Sequence, residues 1–186
     1  MREILRMIVV LTVIGAVSGL ALAAFHSFTA APIEYQTIKF VKEPAVKKVL
    51  TGYDNDPILD RKKIPVGTDS RGNPAELTVF PAKKGSETFA VALEGAGKGF
   101  HGEIGVMVGV SKEGTILDIG ITSHTETPGI GSKVTETGYT DRYKGLPAKK
   151  GLAVDAVSGA TYSSKGVVAA VNEAITLVEK FREEIF

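Results

Sequence analysis

The sequence predicts an α+β fold in which helices cover an antiparallel sheet and one N-terminal transmembrane helix precedes it. Three features support this prediction: an uncharged run near the N-terminus, short β-rich stretches separated by glycines, and a C-terminal apolar stripe with helical spacing. The chain has 186 residues, of which 44% are hydrophobic and 23% are charged. That size suits one globular domain with one additional short element.

The first element is the uncharged run, residues 7–25. As a helix with a rise of ~1.5 Å per residue it spans about 28 Å, close to the ~30 Å hydrocarbon core of a bilayer. Arg2 and Arg6 precede the run, whereas the first lysine or arginine after it is Lys39. The positive-inside rule therefore predicts a cytoplasmic N-terminus and an exported remainder. A cleaved signal peptide is the alternative, because residues 21–23 read Ala-Leu-Ala, although the run is longer than the ~7–15 apolar residues usual in such a peptide.

The rest of the chain divides into a connecting segment and a domain. We assign residues 1–30 to the N-terminus and anchor, 31–75 to an amphipathic and connecting segment, and 76–186 to the exported domain. Apolar positions within residues 33–50 predict a helix that is interrupted near Pro44. Residues 51–73 are rich in Gly, Asp, Pro and Lys, which is typical of a connection.

Short β-rich stretches open the exported domain. Glycine-containing turns separate them, so the simplest arrangement is an antiparallel meander. The predicted strands are residues 76–80, 88–93, 104–110 and 115–122. A further turn-rich connection follows at residues 145–152.

The last helix has the clearest pattern. Its apolar residues recur at spacings of four and three, which is one continuous stripe on a helix: Val167, Val171, Ala174, Val178, Phe181 and Ile185. Thr161, Ser163 and Ser164 mark its start, and each could cap free backbone N–H groups.

Composition excludes several classes of function. The net charge of +1 argues against a nucleic-acid partner. The absence of cysteine excludes disulfides, thiolate metal sites and a Cys nucleophile. His26, His101 and His124 are widely separated, which is a poor pattern for metal binding. A serine hydrolase is disfavoured because no Gly-x-Ser-x-Gly sequence is present.

Small hydroxyl residues precede the last helix, in the segment Asp155-Ala156-Val157-Ser158-Gly159-Ala160-Thr161. A helix N-terminus carries partial positive charge and unpaired N–H donors, so this is a natural phosphate site. Gly159 and Ala160 would let an anion approach the backbone closely. A capped helix after a turn is the alternative interpretation.

Two other stretches could take part in binding. The loop His124-Thr125-Glu126-Thr127-Pro128-Gly129-Ile130-Gly131 follows a predicted strand, and Pro128-Gly129 fits the central pair of a type II turn. Its hydroxyls, carboxylate and N–H groups could bind a polar ring edge, although a hairpin turn with polar decoration explains the pattern equally simply. The glycine-rich residues 97–102 predict a flexible turn beside one aromatic residue.

Together these stretches resemble the FMN-binding domain shared by the RnfG and NqrC subunits of membrane-bound, ion-pumping electron-transfer complexes. The motifs are Gly99-Phe100-x-Gly102, Glu126-Thr127-Pro128-Gly129-Ile130-Gly131 and Asp155-x-x-Ser158-Gly159-Ala160-Thr161-x-Ser163-Ser164. The last motif is similar to the signal read by a flavin transferase that joins FMN to a threonine through a phosphoester. The resemblance covers the anchor and the chain from about Gly97 onward.

The resemblance implies a set of cofactor-binding residues. Thr161 is the residue to which FMN would be covalently attached, and Ser158, Gly159 and Ala160 would shape the turn before it. The flavin loop would be Glu126, Thr127, Pro128, Gly129, Ile130 and Gly131, with His124 as a neighbour.

The resemblance also implies a setting and partners. The chain would be a single-pass inner-membrane protein, anchored through residues 7–25, with its FMN domain on the extracytoplasmic side. Its partners would be the other subunits of an Rnf-type ferredoxin:NAD oxidoreductase coupled to Na⁺ or H⁺ transport, and a flavin transferase during maturation. An NqrC-like component of a NADH:quinone reductase and a stand-alone anchored FMN domain are the alternatives.

Overall fold

The computed structural model describes residues 2–68 and 74–186, and the side chains of Thr68, Pro74 and Thr137 are not considered. The chain forms two compact units, Met1–Phe40 and Val41–Phe186. We describe each unit separately.

The first unit is helical. Helix α1 covers Arg2–Thr37, and none of its residues is buried. The helical stretch Arg2–Val49 has a mean hydropathy of 2.5 in its most apolar window, which makes it long and apolar enough to cross a membrane. A π-helical segment, Ile38–Lys42, follows α1, and α2 covers Glu43–Val49. The predicted interruption near Pro44 is therefore confirmed, with the proline in the first turn of α2, where its missing N–H costs least.

The second unit contains a five-stranded antiparallel sheet in the order β1-β2-β3-β4-β5, which confirms the predicted meander. The strands are β1 (Lys62–Thr68), β2 (Pro74–Lys84), β3 (Glu87–Lys98), β4 (Glu103–Ser111) and β5 (Ile116–Ser123). Short helical segments follow: 3₁₀ turns at Gly131–Thr135 and Asp141–Tyr143 on either side of α3 (Thr137–Thr140). The chain ends with α4 (Thr161–Lys180) and α5 (Arg182–Ile185).

Helices cover both faces of the sheet, because successive strand residues point to opposite sides. On one face α4 packs on Val91, Leu93, Val106 and Val108. On the other face α2 contributes Val46, Val49 and Leu50 to a second core with Phe80, Ala92 and Met107. The α+β prediction is confirmed, as is the buried stripe of α4: Val167, Val171, Ala174 and Val178 are buried.

The packing of α4 on β3 is close enough to involve backbone atoms. A Cβ at Gly97 would lie 2.0 Å from the carbonyl oxygen of Gly166, and one at Gly95 would lie 2.1 Å from that of Ala170. A Cβ at Gly166 would in turn lie 2.9 Å from the Cα of Gly99. These glycines fix the position of α4 along β3, so its N-terminus lies beside the turn that follows β3.

Three local predictions were wrong. Residues 62–68 were assigned to a connection but form the edge strand β1, where Pro65 is tolerated because an edge strand needs fewer ladder hydrogen bonds. Strand β3 continues to Lys98, because Gly95 and Gly97 are strand residues that make room for α4. Finally, no side chain caps α4, whose N-cap residue is Ala160.

Candidate functional site

The N-terminus of α4 follows a tight turn. The N–H of Ala160 donates to the carbonyl of Val157 at 2.9 Å, and Gly159 between them has a φ of +80°. Only glycine adopts that conformation without strain, which explains the Ser158-Gly159 pair. Thr161 is then the first residue of α4, and its side chain is exposed.

A buried polar network holds this turn against the domain. The hydroxyl of Ser164 accepts a hydrogen bond from the N–H of Val157 at 3.0 Å. The hydroxyl of Tyr139 donates to the carbonyl of Ser164 at 3.2 Å and contacts that of Tyr143 at 2.9 Å. Burial, followed by the hydrogen bond with Tyr139, raises the pKa of Tyr143, so this hydroxyl stays protonated. Ser164, expected to be a helix cap, instead supports the preceding turn.

The predicted loop forms a second turn. The N–H of Ile130 donates to the carbonyl of Thr127 at 3.2 Å, and Gly129 has a φ of +73°. This geometry confirms the type II turn expected for Pro128-Gly129. The N–H of Gly129 also donates to the hydroxyl of Ser132 at 2.8 Å, which ties the turn to the following 3₁₀ segment.

The turn between β3 and β4 supplies the third segment. The N–H of Gly99 donates to the carbonyl of Gly102 at 2.8 Å, and this places Phe100 at the tip with 65% of its surface exposed. The ring of Phe100 lies 5.9 Å from that of Tyr162 and 4.9 Å from that of His101. The imidazole Nδ1 of His101 is 3.3 Å from the hydroxyl of Thr127.

Glu126 joins all three segments. Its Oε1 accepts hydrogen bonds from the N–H groups of Phe100, at 2.9 Å, and His101, at 3.0 Å. Its Oε2 accepts the hydroxyl of Ser163, on α4, at 2.5 Å. Only 4% of Glu126 is exposed.

The surroundings of Glu126 favour its charged form. Burial acts to raise the pKa of this carboxyl, but the hydrogen bonds from Ser163, His101 and Phe100 outweigh it, so the pKa lies below its usual value of 4.5. Glu126 is therefore a carboxylate at neutral pH.

These segments enclose a cleft of about 230 Å³. Its walls are Phe100, Glu126, Thr127, Ile130, Gly131, Gly159, Ala160, Thr161, Tyr162 and Ser163. Three of these residues give the cleft an apolar rim, because Phe100, Ile130 and Tyr162 are each more than half exposed. The cleft thus combines a flat apolar rim, a reachable hydroxyl at Thr161 and a buried negative charge.

The structure brings together most of the residues predicted to bind the cofactor. Glu126, Thr127, Ile130, Gly131, Gly159, Ala160 and Thr161 all line the cleft. Among the described residues, its walls do not include His124, Pro128, Gly129 or Ser158, and the latter three shape the two turns.

Sequence reasoning did not place Phe100, Tyr162 or Ser163 in the site. Phe100 belongs to the Gly99-Phe100-x-Gly102 motif, and its glycine neighbours were the available signal. No sequence pattern marked Tyr162, whose exposure at the start of an amphipathic helix is unremarkable without the fold.

Comparisons with known proteins agree with this geometry. The family model described as FMN-binding domain matches residues 99–176. The RnfG protein of the ion-translocating oxidoreductase complex from Cereibacter sphaeroides (strain ATCC 17023) is 32% identical, covering 91% of this chain and 81% of its own. The corresponding protein of Methanosarcina acetivorans is 31% identical and covers 95% of each chain. Its counterpart in the Na(+)-translocating ferredoxin:NAD(+) oxidoreductase complex from Acetobacterium woodii is 29% identical, covering 96% and 93%.

A solved structure shares the fold. NqrC of Shewanella oneidensis aligns with a TM-score of 0.54 and 22% identity, over 81% of this chain and 76% of its own. At that identity the likeness concerns the fold alone.

The fold and the cleft define an FMN-binding domain preceded by a helix that can cross a membrane. The chain belongs to the RnfG family, whose members are components of ion-translocating oxidoreductase complexes. This confirms the resemblance to that family, the assignment of FMN as the cofactor and the expectation of a membrane-anchored protein.

Proposed function

We propose that this protein carries one FMN, joined through a phosphoester to Thr161, and passes electrons through it. The observation that carries the proposal is the exposed hydroxyl of Thr161 on the wall of the cleft, at a helix N-terminus that no side chain caps. The first N–H groups of a helix have no intrahelical partners, and the helix dipole favours negative charge there. A phosphate esterified to Thr161 would therefore lie where the backbone stabilises it.

The other walls of the cleft suit the flat ring of a flavin. Phe100, Ile130 and Tyr162 offer exposed apolar surface that a bound ring would cover. Thr127 and the backbone of the turn after it offer polar groups to the edge of a ring. When bound, the flavin supplies reversible electron uptake, and the residues of this chain hold and orient it.

Membership of the RnfG family supports a role as an electron-transfer component of an ion-translocating oxidoreductase. The relative from Acetobacterium woodii is named for ferredoxin:NAD(+) oxidoreduction, and we assign this chain to the same Rnf type. The alternative, an NqrC-like component, has support from a shared fold only. The other subunits of such a complex are the partners we expect to co-purify.

Attachment requires a flavin transferase that can reach the threonine. Thr161, Ser158 and Asp155 of the motif are all exposed, so this segment is accessible to an enzyme. The guanidinium of Arg142 donates to the carbonyl of Asp155 at 2.9 Å and holds the segment in place. We assign Asp155 to recognition by the transferase, because its exposed side chain does not line the cleft.

The attachment site is tested by co-expression with a flavin transferase and mass spectrometry of the peptides. We expect one FMN on the peptide containing Thr161, and we expect Thr161→Ala to abolish the adduct completely. Thr161→Ser keeps a hydroxyl and should retain partial attachment. Thr127→Ala, which removes another hydroxyl from the same cleft, should keep the adduct and serves as the matched control. An adduct on Ser158, Ser163 or Ser164 would overturn the proposal.

We also propose that the N-terminus is cytoplasmic and that the FMN domain faces the extracytoplasmic side. The support is Arg2 and Arg6 before the uncharged run, with Lys39 as the first lysine or arginine after it. Protease added to sealed right-side-out spheroplasts should digest the domain and remove a tag placed after Phe186. A tag that survives under those conditions, while a known extracytoplasmic protein is digested, contradicts this orientation.

A further inference from the structure

Glu126 is a wall of the cleft, but its carboxylate has little left to offer a ligand directly. One oxygen accepts two backbone N–H groups, from Phe100 and His101, and the other accepts the hydroxyl of Ser163. A side chain in this arrangement acts on its surroundings through its charge and through the segments that it joins.

The crowding around Glu126 shows that the arrangement is built into the sequence. A Cβ at Gly99 would lie 2.5 Å from Oε1 of Glu126, and one at Gly131 would lie 2.7 Å from Oε2. Two glycines on different segments thus leave room for one carboxylate. Each oxygen is enclosed by protein, which keeps water from screening the charge.

We propose that Glu126 is a positioning residue that holds a permanent negative charge at the wall of the cleft, and that this charge lowers the reduction potential of the flavin bound there. A flavin that takes up electrons gains negative charge unless protons follow. A fixed anion beside it makes that gain less favourable, and the interaction is strongest where water is excluded. The ring itself need not touch Glu126.

The inference rests on the proposed function, since it concerns a flavin in this cleft. It differs from the expectation, drawn from the family resemblance, that Glu126 belongs to the set of residues that bind the ring. The carboxylate instead binds the β3–β4 turn and α4, and these carry Phe100 and Thr161, which line the cleft.

The charge is tested on the flavinylated full-length chain by redox titration. Glu126→Gln keeps the size of the side chain, and its amide oxygen can still accept the two N–H groups, but the charge is gone. We expect a higher midpoint potential in this variant, with the flavin still attached to Thr161. An unchanged potential overturns the proposal.

Two controls separate charge from rearrangement. Glu173→Gln also removes one carboxylate that accepts a backbone N–H of β3, that of Ala96 at 2.6 Å. Glu173 lies twelve residues after Thr161 on the same helix, about 18 Å along its axis, so the potential should not move. Ser163→Ala removes one hydrogen bond and no charge, and should shift the potential much less than Glu126→Gln. Equal shifts in Ser163→Ala and Glu126→Gln contradict a role for the charge.

A second measurement needs neither flavin nor a change at Glu126. In the full-length Thr161→Ala chain, labelled with ¹⁵N at phenylalanine and histidine, the amide signals of Phe100 and His101 report on the carboxylate that they contact. Both signals should stay constant from pH 7 down to 4.5 and move together only at lower pH, because the pKa of Glu126 lies below 4.5. A common midpoint above 4.5 overturns the permanent charge, whereas a missing adduct at Thr161 would count only against the proposed function.

Discussion

The two helices that cover the sheet are fixed to it in different ways. Helix α4 has twenty residues and approaches β3 so closely that Gly95, Gly97 and Gly166 each leave no room for a side chain. Helix α2 has seven residues and packs through side chains, with one comparable approach where a Cβ at Gly109 would lie 2.4 Å from the carbonyl of Val49. Several contacts along its length determine where α4 lies, whereas a single contact near its end holds α2.

This difference matters for the site. The hydroxyl of Thr161 is useful only if it lies beside Phe100 and Ile130, which belong to other segments. The glycine contacts between α4 and β3 set that position, because a shift of α4 by one turn would move Thr161 by ~5 Å. We therefore expect the site to depend on the packing of α4 and to be insensitive to small changes beside α2.

The largest effect is expected for Gly97→Ala. The added Cβ would lie 2.0 Å from the carbonyl oxygen of Gly166 and 2.7 Å from the N of Ala170, and both of these atoms are backbone. Helix α4 must move, so we expect the free energy of unfolding to fall by at least about 3 kcal/mol. Attachment of FMN should fall with it. Chemical denaturation and mass spectrometry of the same preparations measure the two effects.

Gly120→Ala is the matched control on the face covered by α2. Its Cβ would meet Lys48, Ala45 and Val49 at 3.7–3.8 Å, which are ordinary contacts. Glycine in a strand costs stability relative to alanine, so this variant should be as stable as the parent or up to about 1 kcal/mol more stable. Attachment should be unchanged. If Gly97→Ala and Gly120→Ala behave alike, the contrast between the two faces is wrong.

Sequence reasoning predicted the elements that carry their own pattern. The stripe from Val167 to Ile185 was enough to predict the last helix, and glycine-separated β-rich stretches were enough to predict the meander. Strand β1 was missed because residues 62–68 contain Pro65 and Gly67, and only pairing with β2 makes this segment a strand. Gly95 and Gly97 were interpreted as turn residues, since their contact with α4 is visible only in the fold.

The same limit applies to the site. Motifs predicted the two turns and Thr161, because turn geometry is local and the motif at Thr161 is specific. Motifs could not show that Glu126 points inward, since its partners Phe100 and Ser163 lie 26 and 37 residues away in sequence. Ser163 was expected to cap α4, but its hydroxyl donates to Glu126 instead. Long-range contacts of this kind decide the role of a residue.

The smallest effect is expected within the loop that faces α4, where two glycines are present for different reasons. Gly129 has a φ of +73° and no atom within 4 Å of a Cβ placed on it, so Gly129→Ala meets only backbone strain. We expect a loss of about 1 kcal/mol in the free energy of unfolding and full attachment of FMN. Gly131 has no such φ, but its Cβ would lie 2.8 Å from the hydroxyl of Ser163 on α4. Gly131→Ala should therefore slow attachment in a timed reaction with the transferase, because it disturbs the contact between the loop and α4. Equal rates for Gly131→Ala and Gly129→Ala would show that contact with α4 does not govern the site, since the two variants differ chiefly in that contact.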